Sequence, residues 1–492
     1  MKTFESWTEK KIGPLPSLAW LLIFIFTLIY IDISFVNHYL FRSYALDLGL
    51  YTKALWDYAH FQFNDSLVFR YHAVNLLSDH FDLYLMIFSP LVYIFGSYTL
   101  LIIQILAVII GGIGVFKLTE LYSKNNIVPL LSMLFFFSFF GVIHTISYDY
   151  HSNVVASMII PWFFYFFKKE KFLISSLLIF AILIGKENMA LFVFFICIGL
   201  MWDYRKQRKS LYFLAAYAVF SLIYFITIVG VIMPSFSNGD NYMGFKRYQA
   251  LGNNFQEAFA YLITHPFETF KLLFINSLNN PDYNFLKTEL HLSLLISGLM
   301  FLFFKPNYIF MLIPIYCQKM FSNDPVLWGI SLQYNVEFVP IITSGIFIWF
   351  SSIHDLKKQK RMALIAVVLC IAVTKYTIIN PITYLPLDKV NIFRKTHYIE
   401  KDFSVKEAYK LIKLIPKDAP VCACTLFVPH LATRDKIYTY PLIFDCEYLL
   451  LNRKSWTYSE DDYKLLDIII NKEPDKWAIV KEYDNLILLK RK

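Results

Sequence analysis

Charge is what this chain is short of. Asp, Glu, Lys and Arg make up only 17% of 492 residues, against 57% apolar residues and a mean hydropathy of +0.49. An ordinary soluble globule of this length needs more charge to cover its surface, so that class is excluded. Internal repeats and low-complexity linkers are lacking as well. So is a cleavable signal peptide: Lys10 and Lys11 precede an apolar stretch too long for an h-region, and no small-residue cleavage site follows. The first apolar run therefore reads as a retained signal anchor. Cysteine is sparse, with six in all. Cys197, Cys317 and Cys370 lie in apolar runs and read as small core residues. Cys422, Cys424 and Cys446 leave free thiols or one disulfide from Cys446 both open, and a CxC without partners at zinc spacing is weak metal evidence. The net charge of +9 comes largely from short loops between apolar segments, so it is not a nucleic-acid signature.

What is there in quantity is apolar sequence. Runs such as Leu18–Ile31 and Ser210–Pro234 approach the roughly 20 residues that cross a bilayer. Aromatic residues reach 19%, suited to lipid-facing packing and interfacial belts. The expectation is an all-α polytopic membrane bundle. Spans are expected near 17–36, 98–116, 127–147, 153–167, 172–185, 189–202, 211–233, 291–304, 307–320, 336–350 and 362–379, about eleven in total. The piece Leu83–Phe95, interrupted by Ser89-Pro90, reads as a helix lying at or dipping into the interface.

Loop charge gives a sidedness. The connections 1–16, 117–126, 168–171, 203–209, 305–306 and 354–361 hold 17 Lys/Arg in 47 residues, whereas the alternating set holds 8 in 127. The positive-inside rule places the first set, and the N-terminus, in the cytoplasm. Outer loops 37–82 and 234–290 and the tail then lie outside. This gives two parts: a membrane bundle over 1–379 and a soluble extracytoplasmic α/β domain over 380–492. Within the tail, Ser404-x-x-Glu407 and Ser459-x-x-Asp462 read as capping boxes opening helices. Val421–Val428 reads as a strand, and Trp477–Val480 with Leu486–Leu489 as a closing hairpin.

Three outward elements carry polar chemistry. The 46-residue loop 37–82 contains Asp47-Leu48-Gly49 and Ser78-Asp79-His80-Phe81-Asp82; the others are Tyr148-Asp149-Tyr150-His151 and Gly185-Lys186-Glu187-Asn188. A carboxylate at membrane depth is costly unless paired, wetted or bound to a cation. Each also has an ordinary explanation: a solvated turn or bundle-stabilising pair for Lys186 and Glu187, helix capping for Asp149 and His151, and a plain loop charge for Asp47.

The stretches Arg42–Phe63 and Leu76–Leu118 resemble a large prokaryotic family of multi-pass membrane proteins catalogued as a domain of unknown function. Its pattern is found here as Asp47-Leu48-Gly49, Asp79-His80-Phe81, Pro90-Leu91-Val92-Tyr93 and Gln104, with Lys186-Glu187 also fitting. The tail segment Val421–Asn452 is similar to the family's C-terminal pattern at Pro429, His430, Leu431, Arg434, Ile437, Tyr438 and Pro441. The chain departs from it at Gln333-Tyr334-Asn335, where the family tends to have a His-Tyr pair. The family in turn resembles the GT-C superfamily of membrane glycosyltransferases. That resemblance implies a catalytic acid in the first outer loop, matched by Asp47, and a second acid or histidine in the next, matched by Asp149 and His151.

The function so implied is transfer of a sugar from a polyprenyl-phosphate-linked donor to an acceptor of unspecified identity at the outer face of the cell membrane. Asp47 is then the candidate base, with Asp149 as the second catalytic acid. Asp47, Asp149 and His151 would be the ligands of Mg²⁺ or Mn²⁺ if a metal takes part. Lys186 and Glu187, His80, Lys246 and Arg247 would serve the phosphate, although Lys246-Arg247 reads equally as a surface pair. A transporter or flippase of a lipid-linked or small polar solute is the alternative from another class, weakened by the absence of internal symmetry and by polar residues gathered at one face. A non-catalytic envelope scaffold is the third.

Overall fold

The computed structural model describes residues 13–68, 71–237, 247–278, 280–379, 392–400, 402–473 and 475–492. The start of the expected tail at residue 380 and the candidate Lys246 lie outside them.

The helix Ser17–Tyr39 exposes Leu18, Trp20, Leu21, Phe24, Ile25 and Leu28, a surface no water-facing helix presents. Among the described residues, four helical stretches are long and apolar enough to cross a membrane: Ser17–Tyr39, Tyr84–Tyr122, Arg208–Phe236 and Leu356–Ile379. The total reaches six if two bent pairs each count as one span. Ile127–Ser138 and Phe140–Ser147 bend by 43° at Phe139, and Pro325–Asn335 and Phe338–Ser352 by 66°. The chain between 291 and 320, expected to hold two spans, is built of short pieces: Leu286–Ile296, a 3₁₀ stretch Leu299–Phe304, then Pro306–Met311 and Ile313–Met320. Leu83–Phe95 is built of short turns, Tyr84–Phe88, Ser89–Leu91 and Val92–Phe95, which end at Gly96 (φ 54°, ψ −131°) just before the long helix Thr99–Tyr122; together they make up the apolar stretch Tyr84–Tyr122.

The first outer-loop segment carries a two-stranded ladder, β1 (Asp65–Ser66) with β2 (Val74–Asn75). Near the C-terminus stands a five-stranded sheet of β3 (Val421–Ala423), β4 (Ile437–Thr439), β5 (Tyr448–Asn452), β6 (Trp477–Tyr483) and β7 (Leu486–Arg491). Its order is β4-β3-β5-β7-β6, with β3 parallel to both neighbours and β7 antiparallel to β5 and β6. Strand alternation sorts its side chains. Val421, Ala423, Leu450, Leu486 and Leu488 join the large core shared with the helices, whereas Cys422, Leu449, Leu451, Ile487 and Leu489 form a second core with Leu466 and Ile469.

The hairpin is as expected, and so is the box at Ser459, whose hydroxyl accepts Asp462 N–H while Asp462 answers Ser459 N–H. Two expectations need correction. The strand at Val421 stops at Ala423, and Val428–Leu431 is a helical turn with Pro429 at its start, where a missing N–H costs nothing. Ser404 begins its helix without a side-chain cap; Glu400 Oε1 accepts the Val405 N–H instead, at 3.0 Å. All six cysteines are free thiols.

Candidate functional site

Asp47 sits in a tight turn at φ 67°, ψ −93°, a conformation that a non-glycine residue enters only under strain. The turn aims its carboxylate at the 148–151 segment. Tyr148 donates its hydroxyl to Asp47 Oδ2 at 2.9 Å, and His151 Nε2 lies 3.4 Å from Oδ1. His151 Nδ1 is 3.0 Å from the Asp149 carbonyl, which can only accept. His151 thus bridges the Asp149 backbone and the Asp47 carboxylate through its two ring nitrogens. Burial pushes the Asp47 carboxyl up, but the His151 charge and the hydrogen bonds from His151 and Tyr148 outweigh it and hold it at about 2.

Gln104 fixes this segment from the neighbouring helix. Its Oε1 accepts His151 N–H at 3.0 Å, while its Nε2 donates to the carbonyls of Thr145 and Asp149. Asp149 Oδ2 accepts Tyr44 N–H at 3.4 Å, tying the first-loop turn to the same place.

A second group lies beside it. Leu83 N–H donates to the Ile184 carbonyl, which joins the Asp79-His80-Phe81 segment to the 185–188 turn. Glu187 accepts Phe81 N–H at 3.1 Å and faces His80 Nδ1 at 3.5 Å. Burial raises its carboxyl, yet His80 and Lys186 together bring it down to about 2. Asp82 behaves oppositely: burial carries it up to about 7, against the pull of Tyr84 N–H, Lys186 and His80.

Tyr51, buried and one turn along from Asp47, joins the two groups. Burial and the fields of Asp47, Asp82, Asp79 and Glu187 raise its phenol. Arg247 interacts with Tyr334, Asp324 and Asp79, and Tyr334 in turn with Asp47 and Arg247. Asp47, Asp149, His151, His80, Glu187, Lys186 and Arg247 thus belong to one connected polar region. Tyr51, Asp82, Tyr148 and Tyr334 enter it without having been assigned a role. Tyr51 was findable from its i+4 spacing to Asp47; Asp82 and Tyr148 stood inside the quoted motifs, and Tyr334 in the Gln333-Tyr334-Asn335 stretch where the family tends to have a His-Tyr pair.

The donor set does not fit a metal. Among the described residues no group of three or more His, Cys, Asp or Glu side chains could hold one. Asp47 is engaged by Tyr148 and His151 while Asp149 meets Tyr44, so the expected Asp47, Asp149, His151 ligand set for Mg²⁺ or Mn²⁺ is not assembled.

The C-terminal segment buttresses the Asp47 turn. A Cβ on Gly49 would come within 2.9 Å of Val428 Cγ1 and 3.3 Å of the Tyr44 carbonyl, so glycine is needed for close approach. Thr425 Oγ1 accepts Ala45 N–H at 3.0 Å, and Arg42 donates to the carbonyls of Thr396, His397 and Ile399. His430 stacks on His38 with centroids 4.0 Å apart. Arg434 is structural, giving its guanidinium to the carbonyls of Leu431, Pro416 and Ala419.

On the other side of Glu187 opens a cavity of about 340 Å³. Its walls are mainly apolar, among them Phe192, Phe225, Val229 and Leu262, and its polar groups are Glu187, Asn188, Tyr248 and Gln318. Asn188 Nδ2 donates to Gln318 Oε1 at 3.0 Å.

The sequence profile of the predicted membrane protein family DUF2079 matches residues 37–488. No curated protein matches the chain. Among solved structures, its fold is similar to that of ArnT from Cupriavidus metallidurans bound to undecaprenyl phosphate, at a TM-score of 0.51 and 9% identity, covering 96% of this chain and 98% of that one. At that identity the likeness is one of fold.

Proposed function

The chain belongs to the DUF2079 family of predicted membrane proteins, and from that premise and its fold we propose that it is an integral membrane glycosyltransferase. The donor would be a sugar linked to a polyprenyl phosphate and the acceptor a hydroxyl-bearing molecule at the same membrane face, which we take as extracytoplasmic, with the N-terminus in the cytoplasm. The observation that carries this reading is the adjacency of an apolar cavity to a buried acid–base cluster, with Glu187 belonging to both. A prenyl-linked sugar needs that pairing: an apolar volume for the chain and ionisable groups at its phosphate end. The neighbouring fold was solved with undecaprenyl phosphate, which supports the donor class.

In this reading Asp47 takes the acceptor's hydroxyl proton as that oxygen attacks C1 of the sugar. The C1–O bond to phosphate breaks, and its electron pair leaves on the polyprenyl phosphate. Its contacts with His151 and Tyr148 hold the Asp47 carboxyl low, at about 2, so it is ionised, as a base must be beforehand. Asp149 braces the turn bearing Asp47. Lys186 and Arg247, with Lys246 as a further candidate, would neutralise the phosphate oxygens, and His80 holds Glu187 in place.

Membranes carrying the wild-type chain should transfer labelled sugar from a polyprenyl-phosphate donor to an extractable acceptor fraction. Asp47→Asn, which keeps a hydrogen-bonding partner for Tyr148, should lower that rate by about 10²- to 10⁴-fold. Asp149→Asn should lower it less. Full activity in both variants would sink the site assignment. Absence of transfer from every polyprenyl-phosphate donor, with the fold intact, would sink the activity.

A further inference from the structure

The helices Phe255–Thr264 and Pro266–Leu272 divide their surfaces three ways. One side packs on the protein: Ala258 is buried, and Tyr261, Leu262, Leu272 and Leu273 pack around Leu251, Ala258 and Phe321. A second side is polar, with Gln256, Glu257, Glu268 and Lys271 exposed. The third is apolar and uncovered, with Phe259 at 67% exposure, Ile263 at 63%, Phe267 at 71% and Phe270 at 60%. Phe259 and Ile263 are four residues apart, and Phe267 and Phe270 three, so in each helix they form a stripe. At 100° per residue Phe259 and Ile263 fall between the buried arc of Ala258 and Leu262 and the polar arc of Gln256 and Glu257.

Two things set where this stripe lies. Ala258 and Leu262 line the same cavity as Phe225 and Val229, which belong to the membrane-length stretch Arg208–Phe236. The helix pair therefore stands beside a spanning element. Its far end is also anchored: buried Lys287 donates to the carbonyls of Leu272 at 2.5 Å and Met320 at 2.9 Å, and His291 Nε2 meets the Leu273 carbonyl at 2.8 Å. An anchored pair with an apolar flank, a polar flank and a protein flank has the surface pattern of an element seated along a membrane boundary.

We infer that Phe255–Leu272 lies in the headgroup–acyl boundary of the lipid leaflet on the polar-site side, with Phe259, Ile263, Phe267 and Phe270 inserted into lipid. Such a face sinks about 5–10 Å below the headgroups. The bilayer is the occupant because the uncovered stripe adjoins a spanning helix and borders polar residues on its other edge. The pair then forms the lipid-side wall of the cavity. This seating does not depend on the transferase reading.

The test uses the full chain in vesicles of phosphatidylethanolamine and phosphatidylglycerol. A photoreactive benzoylphenylalanine replaces, in turn, Phe267, Phe270 and Glu268, and the irradiated peptides are weighed. Lipid adducts at positions 267 and 270, several-fold above those at 268, are expected. Equal lipid yield at all three positions, or adducts at 267 and 270 to a second copy of the chain, would overturn the inference. Inactive sugar transfer alongside lipid adducts at 267 and 270 would count against the proposed function alone.

Discussion

Asp82 shows how one residue's surroundings decide its chemistry. It lies in the same segment as His80, yet Glu187 is held near 2 and Asp82 near 7, because His80 and Lys186 pull the first down while burial dominates at the second. The pH consequence has a definite sign. A carboxyl whose folded pKa lies above its ordinary 3.8 binds a proton more readily folded than unfolded, so its stabilising effect is complete below 3.8 and is lost as pH rises to about 7. Asp82→Asn removes that dependence. Across this window the melting temperature of the variant should rise relative to wild type as pH increases. A constant difference between the two would show that Asp82 is not buried in its acid form. Asp47 poses the opposite problem at this scale, since its positive φ is a strain that the surrounding contacts sustain.

Among the elements, the contact between the Asp47 turn and the Val428–Leu431 helix explains two sequence patterns at once. Gly49 has no room for a side chain because Val428 lies against it, and the Pro-His-Leu run that follows Val428 continues the same helical turn, with His430 stacked on His38. Gly49→Ala should cost about 1–3 kcal/mol of stability through overpacking, since a valine side chain and a backbone carbonyl have little room to yield. Adding Val428→Ala should recover part of that loss in thermal unfolding. An equal loss in single and double variants would place the strain elsewhere. The motif residues were legible because turn and glycine chemistry is local, as were the Ser459 box and the closing hairpin. The short β3 was not, because the apolar run Val421–Val428 reads the same whether it continues as strand or turns at Cys424. Ser404 has the capping pattern, but its hydroxyl makes no cap: Glu407 N–H turns to the Ser404 carbonyl, and Glu400 just upstream takes the Val405 amide.

At the scale of the whole molecule, composition alone identified a membrane protein, whereas the grouping of Asp47 with Asp149 and His151 was implied only by the family resemblance. Hydropathy could not reveal where helices bend at Phe139 or shorten between 286 and 320, because apolar content does not distinguish a full crossing from a buried fragment. The cavity likewise had no linear signature, since its lining comes from four separate stretches of chain. If that volume receives a prenyl chain, binding must stabilise the fold by mass action, by about 2.7 kcal/mol when the ligand is at 100 times its Kd. A polyprenyl phosphate should therefore raise the melting temperature of the purified chain, whereas inorganic phosphate should not. Leu262→Trp, which fills the cavity from one wall, should abolish the increase; Asp47→Asn, outside it, should leave the increase intact. An increase that survives Leu262→Trp would move the lipid to another surface, and one matched by inorganic phosphate would show recognition of charge alone.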